Sequence, residues 1–479
     1  MWTSLGPRYM PFADLATPDL PLHRLLRLAL FQVSVGLTLV LLVGTLNRVM
    51  IVEMGVPAAV VALMLALPLL FAPFRALVGY KSDTHRSELG WRRAPFIWKG
   101  TLYQFGGFAI MPFALLVLAG MGQSGNAPVL LGYGSAALAF LLVGAGAHVV
   151  QTAGLALATD LTPPESHPKV VGLMSVVLLL SMIASALTFG ALLKDFSPGR
   201  LVQVIQGAAL VCFCFNMIAM WKQEPRRPPR GQKQAGTEHS FQQAWAHFCA
   251  GDQTIRRLLV VALGTLAFTM ADVLLEPFGG QVLGWSVSAT TQLTALFALG
   301  GLIGFWVASH VIAKGGNPYR TARLGAFVGI PAFLLVILSS PIGHPAVFII
   351  GNVLIGFGGA LFGHGTLTAT MVRAPHNQVG LALGSWGAVQ ATAAGVAMAL
   401  SGALRDAINA VSAHLSSTHT ENAIGYVSVY TIEIILLAVT VIVAIPLLKN
   451  DNGKKAAEET PSTASLSDNR QCVGAERPQ

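Results

Sequence analysis

Two carboxylates interrupt an otherwise apolar stretch, Asp272 and Glu276. Standing four residues apart, they share one face of a helix. Ionisable groups inside so apolar a run are costly to keep and serve as ion pairs, proton relays or substrate contacts. Arg48 and Glu53 lie in a second apolar run and Glu433 in a third. The five form a candidate intramembrane charge network, in which Arg48 is expected to pair with Asp272 or Glu276. For Arg48, Glu53 and Arg75 the competing reading is a side chain that snorkels to the bilayer surface. Three histidines, His148, His310 and His364, also interrupt apolar runs. A neutral imidazole ligates metals, and it equally bonds one helix to the next. Gln151, one turn from His148, is a candidate for such a bond.

These residues need a scaffold, and the composition says which. Of 479 residues, 54% are hydrophobic and 11% charged, with mean hydropathy +0.64; a soluble domain carries about 25% charged residues. Apolar runs of about 20 residues recur, enough to cross a ~30 Å hydrocarbon core. We read twelve transmembrane spans, at 26–51, 57–79, 95–119, 129–158, 170–193, 201–221, 258–279, 288–313, 324–340, 345–371, 379–403 and 426–448. The net charge of +9 is carried by alternate loops: Lys81 to Arg93, Lys169, Arg226 to Lys233, Lys314 to Arg323, and Arg373. Loops 120–128, 280–287 and 341–344 have no Lys or Arg, while Lys194, Arg200 and Arg405 are exceptions. The alternation places both termini in the cytoplasm of an inner membrane and makes the charge a topology signal, not a nucleic-acid surface. The four cysteines form no CxxC, so neither a disulfide framework nor a zinc site is expected.

Residues 1–25 read as an exposed tail with several prolines, not a cleaved signal. Two halves follow, 26–221 and 258–448, joined by a cytoplasmic linker, 222–257, that is rich in Pro and Arg. Within it Phe241, Trp245 and Phe248 recur at helical spacing, which fits either a surface helix or a loop. The polar tail 449–479 is expected to be disordered.

The halves repeat. Val171-Gly172-Leu173 and the closing Gly190-Ala191-Leu192 match Val379-Gly380-Leu381 and Gly402-Ala403-Leu404. Gly144-Ala145-Gly146 matches Gly356-Phe357-Gly358, and Gly44-Thr45-Leu46 matches Gly264-Thr265-Leu266. An all-α membrane protein of two pseudo-symmetric six-helix halves is the major facilitator architecture, with a site expected between the halves. The loop after the second span carries Gly79, Asp83, Arg86, Gly90, Arg92 and Arg93, which resembles the facilitator gating motif. In that motif the acid caps a helix and the basic residues latch the halves; here the spacing is looser, and the arginines also fit simple positive-inside anchoring.

Several of these segments together resemble one family. They are Gly44 through Glu53, Ala72 through Leu77, Leu89 through Arg93, Gln104-Phe105-Gly106-Gly107 and Ala271 through Gly280. The family is the bacteriochlorophyll delivery (PucC/LhaA) group of the major facilitator superfamily, and the resemblance covers roughly residues 6–448. It implies a light-harvesting assembly factor of the photosynthetic membrane, with bacteriochlorophyll as cargo and the antenna α and β polypeptides as partners. Bacteriochlorophyll synthase is a further candidate partner. On this resemblance the metal for His148, His310 or His364 would be the chlorin magnesium. An enzyme is not expected: a membrane prenyltransferase needs aspartate clusters to hold a magnesium diphosphate, and no DxxxD pair lies on a helix. The alternative is a secondary transporter of a small hydrophobic solute, driven by protons through Asp272 or Glu433.

Overall fold

A polypeptide in hydrocarbon must satisfy its own backbone hydrogen bonds, and the apolar runs do so as helices. The computed structural model describes residues 21–70, 82, 91–120, 128–163, 167–224, 253–373, 379–415 and 421–459. We number the helices α1 (Leu22–Glu53), α2 (Ala58–Leu70), α3 (Ala94–Leu118), α4 (Val129–Asp160), α5 (His167–Leu192) and α6 (Pro198–Met220). The second set is α7 (Thr254–Gln281), α8 (Val287–Ala313), α9 (Pro318–Ile342), α10 (Pro345–Arg373), α11 (Val379–Leu415) and α12 (Glu421–Glu459). Among the described residues eleven helices are long and apolar enough to cross a membrane, and the described part of α2 is shorter. We call the end where α1 begins and α12 ends proximal, and the other end distal.

The repeat read in the sequence is a repeat of contacts. The α3–α4 and α9–α10 pairs pack closely, α1 packs on α5 and α6 as α7 does on α11 and α12, and the halves meet through α2–α11 and α5–α8. The matched glycines explain two of these pairs. A Cβ on Gly100 would stand 2.9 Å from the Gly146 carbonyl oxygen, and one on Gly325 would stand 2.5 Å from that of Gly358. Only glycine lets the backbones approach so closely, and close approach drives helix association in lipid.

Three features depart from expectation. First, α1 is α-helical only to Leu39; Val40–Leu46 and Val49–Glu53 are π-helical. Second, α9 starts at Pro318 and α11 runs to Leu415, both beyond the apolar runs. Asn317 caps α9 by accepting from the Tyr319 and Arg320 amides, at 2.8 and 3.3 Å. Third, the tail is not irregular from residue 449. The helix continues to Glu459: a helix already nucleated in the span propagates through the weak formers Asn450 to Gly453, and Lys, Ala and Glu favour it beyond them. The surface-helix segment 241–248, Arg75, and the motif residues Gly79, Asp83, Arg86 and Gly90 lie outside the described residues.

Candidate functional site

The site forms where α1 of the first half meets α7 and α8 of the second. Pro277 lies inside α7 and has no N–H, so the carbonyl of Val273 loses its helical donor. Asn47 of α1 replaces it, donating Nδ2–H to the Val273 oxygen at 2.8 Å. Asn47 is fully buried. One turn earlier on α1, Gly44 leaves room for a second polar contact. Glu276 accepts a short hydrogen bond from the Thr294 hydroxyl of α8. A Cβ on Gly44 would stand 2.8 Å from Glu276 Oε1 and 2.9 Å from Thr294 Oγ1. The π-helical stretch therefore presents a bare backbone to the acid, in keeping with the frequency of such stretches at functional sites.

Glu276 is 5% exposed, and its second oxygen, Oε2, has no hydrogen-bond partner among the described residues. It lines a cavity of about 170 Å³ between the halves, together with Asp272, Thr294, Asn352, Phe297 and Met398. Asn352 is held by a bond from Nδ2 to the Leu293 carbonyl at 2.8 Å. Glu433 of α12 is fully buried, neither of its carboxyl oxygens has a hydrogen-bond partner among the described residues, and it lies within electrostatic reach of Asp272. Among the described residues no group of three or more His, Cys, Asp or Glu assembles as a metal site.

Arg48 is placed differently from expectation. Its ion-pair partner is Glu53 of its own helix, and its Nη2 donates to the Trp285 carbonyl at 3.0 Å. It acts on Glu276 through space without a direct bond. The reason lies in the backbone: the π-helical stretch Val49–Glu53 between the two residues widens the turn and brings Glu53, five residues on, under the guanidinium. The snorkelling reading fails for Arg48, which is 3% exposed.

Distal to this cavity is a polar cluster that sequence reading did not assemble. Gln281, the last residue of α7, accepts from Arg405 and from the Tyr426 hydroxyl, the latter at 2.8 Å, and donates to the Ile51 carbonyl at 3.4 Å. Arg405 pairs with Asp406 at 2.7 Å and lies over the Tyr426 ring. Asp406 Oδ2 accepts from the Ala59 amide at 2.7 Å, so α11 of one half caps the N-terminus of α2 of the other. The signal available was Arg405 itself, a cation on the side that the charge rule leaves empty.

The first half has its own buried network. Gln104 bonds Ser34, Thr38 and Asn216, joining α1, α3 and α6. Gln104 belongs to one of the motifs quoted above; Ser34, Thr38 and Asn216 carry no sequence signal.

The histidines separate. His364 Nε2 lies 3.2 Å from Ser309 Oγ, with Phe305 against the ring. His148 is half-buried in α4, and its carbonyl accepts from Thr152. His310 is exposed on the outer face of α8 and stacks on Trp306, which is 64% exposed, at 5.5 Å and 11°. Its ring nitrogens have no hydrogen bond among the described residues.

Of the gating motif, Arg93 binds Asp160 at 2.9 Å and also the Ser82 hydroxyl. Glu224 accepts from the amides of Arg92, Arg93 and Ala94, capping α3. These described contacts lie within the first half; Gly79, Asp83, Arg86 and Gly90, on which the expected latch rests, lie outside the described residues.

The PUCC protein family model matches residues 45–452. The chain is 57% identical to protein PucC of Rhodobacter capsulatus, over 93% of this chain and 96% of that protein. It is 26% identical to the bacteriochlorophyll synthase 44.5 kDa chain of the same species, over 78% of this chain and 85% of that one. Among solved structures, a bacterial homologue of the human lysosomal transporter Spinster superposes with TM-score 0.65 at 15% identity. That alignment covers 89% of this chain and 97% of that structure, and it shows the facilitator fold.

Proposed function

Because the chain belongs to the PUCC protein family, we propose that it is a non-enzymatic assembly factor that delivers bacteriochlorophyll to the light-harvesting α and β polypeptides. The observation that carries this reading is the 57% identity to a PucC protein over nearly the full length of both chains. The likeness to a protein named as a bacteriochlorophyll synthase chain supports bacteriochlorophyll synthase as a further partner. In this reading the membrane is the photosynthetic inner membrane, and the proximal end faces the cytoplasm, a placement that the loop charges support.

The central cavity, at about 170 Å³, is smaller than the ~300–1,000 Å³ of ordinary small-molecule pockets. A tetrapyrrole does not fit there. The pigment is therefore handed over at the lipid-facing surface. His310 is the candidate axial ligand, because its nitrogens are free and Trp306 offers a flat ring beside it. His364 is engaged with Ser309.

The test is purification from phototrophic membranes in mild detergent. Bacteriochlorophyll absorbance and antenna polypeptides should accompany the protein, and its loss should lower antenna levels without lowering pigment synthesis. Absence of both pigment and antenna chains would sink the proposal. One observation favours the second reading, a transporter of a small solute: the unpaired Glu276 oxygen and Asp272 face the same cavity between the halves. Solute uptake into proteoliposomes under a proton gradient, abolished by Asp272→Asn, would select it.

A further inference from the structure

Among the described residues, one departure from the repeat of contacts lies between α5 and α6. Helices α11 and α12 pack against each other, but their counterparts α5 and α6 touch only sparsely. Between them lies a groove of about 630 Å³, floored by Val33 and Leu37 of α1. Its walls combine small residues, Ala184 and Ser185 on α5 and Gly207 and Ala208 on α6, with the larger Phe189, Leu192 and Val211. The groove runs from Arg200 at the distal end to Phe215, about 22 Å along α6 at 1.5 Å per residue. That exceeds one leaflet of the ~30 Å hydrocarbon core.

Two polar groups mark what fills it. Arg200 is exposed, lines the distal end of the groove, and reaches the Leu192 carbonyl at 3.4 Å across the gap between the helices. It is one of the cations that the loop-charge rule does not explain, and it stands in the first turn of α6, where the helix dipole also favours an anion. Ser185 lines the groove about 10 Å below the end of α5. Its side chain is 8% exposed, and its hydroxyl has no hydrogen-bond partner among the described residues. A hydroxyl that opens onto an apolar groove and has no partner among the described residues is free to donate to an acceptor that enters it.

We propose that this groove is a binding site for one anionic phospholipid of the bilayer. The phosphate sits at Arg200 and the N-terminus of α6, an ester carbonyl accepts from Ser185, and one acyl chain lies along Gly207 toward Phe215. The charge selects this occupant over a pigment tail, which brings no anion to Arg200. The site stands whether or not the chain delivers pigment.

Gly207 makes the test clean, because a Cβ there meets nothing within 4 Å. Gly207→Leu therefore adds a side chain at the groove wall whose Cβ meets open space. The experiment is native mass spectrometry of the protein released from nanodiscs of mixed phosphatidylglycerol and phosphatidylcholine. Wild type should retain one phosphatidylglycerol. Gly207→Leu should reduce its occupancy at least tenfold with an unchanged melting temperature. Arg200→Gln should bind the two lipids equally, and Lys194→Gln, outside the groove, should keep the preference. Retention of the lipid by Gly207→Leu, no headgroup preference in wild type, or a pigment mass in the lipid's place would overturn the proposal.

Discussion

Asn47 and Pro277 form one unit although they lie on different halves: Pro277 removes the amide that Val273 would otherwise accept, and Asn47 supplies the replacement at 2.8 Å. Asn47→Leu therefore strands a carbonyl in the bilayer interior, at about 1–3 kcal/mol. Pro277→Ala returns an amide to position 277 and should recover part of that loss in the double variant. Unfolding by denaturing detergent, followed by circular dichroism, measures both; strictly additive losses would refute the coupling.

The Gly44 position tests the second contact. Gly44→Ala puts a methyl 2.8 Å from Glu276 Oε1 and 2.9 Å from Thr294 Oγ1, and should displace the acid from its hydroxyl. Thr294→Val removes the donor and leaves Glu276 without any hydrogen bond, at about 1–3 kcal/mol. Thr294→Ser keeps the hydroxyl and should stay near wild type. Unfolding midpoints of the three variants should rank in that way, with Thr294→Ser the most stable.

Arg48 is expected to couple to Glu53 and not to Asp272. In double-variant cycles, Arg48→Gln with Glu53→Gln should show a coupling of about 1 kcal/mol. Arg48→Gln with Asp272→Asn should be additive, since no direct bond joins them. A large coupling to Asp272 would show that the ion pair exchanges partners.

Asp406 is both an ion-pair member and a cap on the opposite half. Asp406→Ala should cost about 1 kcal/mol, the usual loss of a helix cap. It should also loosen the distal contact between α2 and α11. Cysteines introduced at positions 59 and 406 should cross-link readily in an otherwise wild-type chain, which checks the proximity directly. Thiol labelling at position 59 alone should rise when Asp406 is replaced.

The histidines should separate by readout. His364→Leu breaks the contact with Ser309 and should lower stability by about 1 kcal/mol, with pigment per folded molecule unchanged. His310→Leu should leave stability alone and lower the pigment-to-protein ratio. Equal pigment ratios in wild type and His310→Leu would exclude it as the ligand.

The sequence by itself determined the helical class, the number of spans and the two-fold repeat, because these follow from local quantities. Hydrocarbon imposes a length and an apolar composition on each span, and close packing imposes glycine at Gly146 and Gly358, so both leave marks that a single chain displays. Asp272, Glu276 and Glu433 were legible as candidates because a charge in an apolar run is conspicuous whatever surrounds it. Partnership was not legible. Which group Arg48 binds depends on a π-helical turn that brings Glu53 beneath it, and that turn has no residue signature in Val49–Glu53. Asn47 reads as an ordinary polar residue until Val273 is seen to lack its donor, and Gln281 gains its role only when α1, α7, α11 and α12 converge on it. Tertiary structure decided these pairs, because a hydrogen bond is satisfied or orphaned by what stands within about 3 Å, and sequence distance carries no information on that scale.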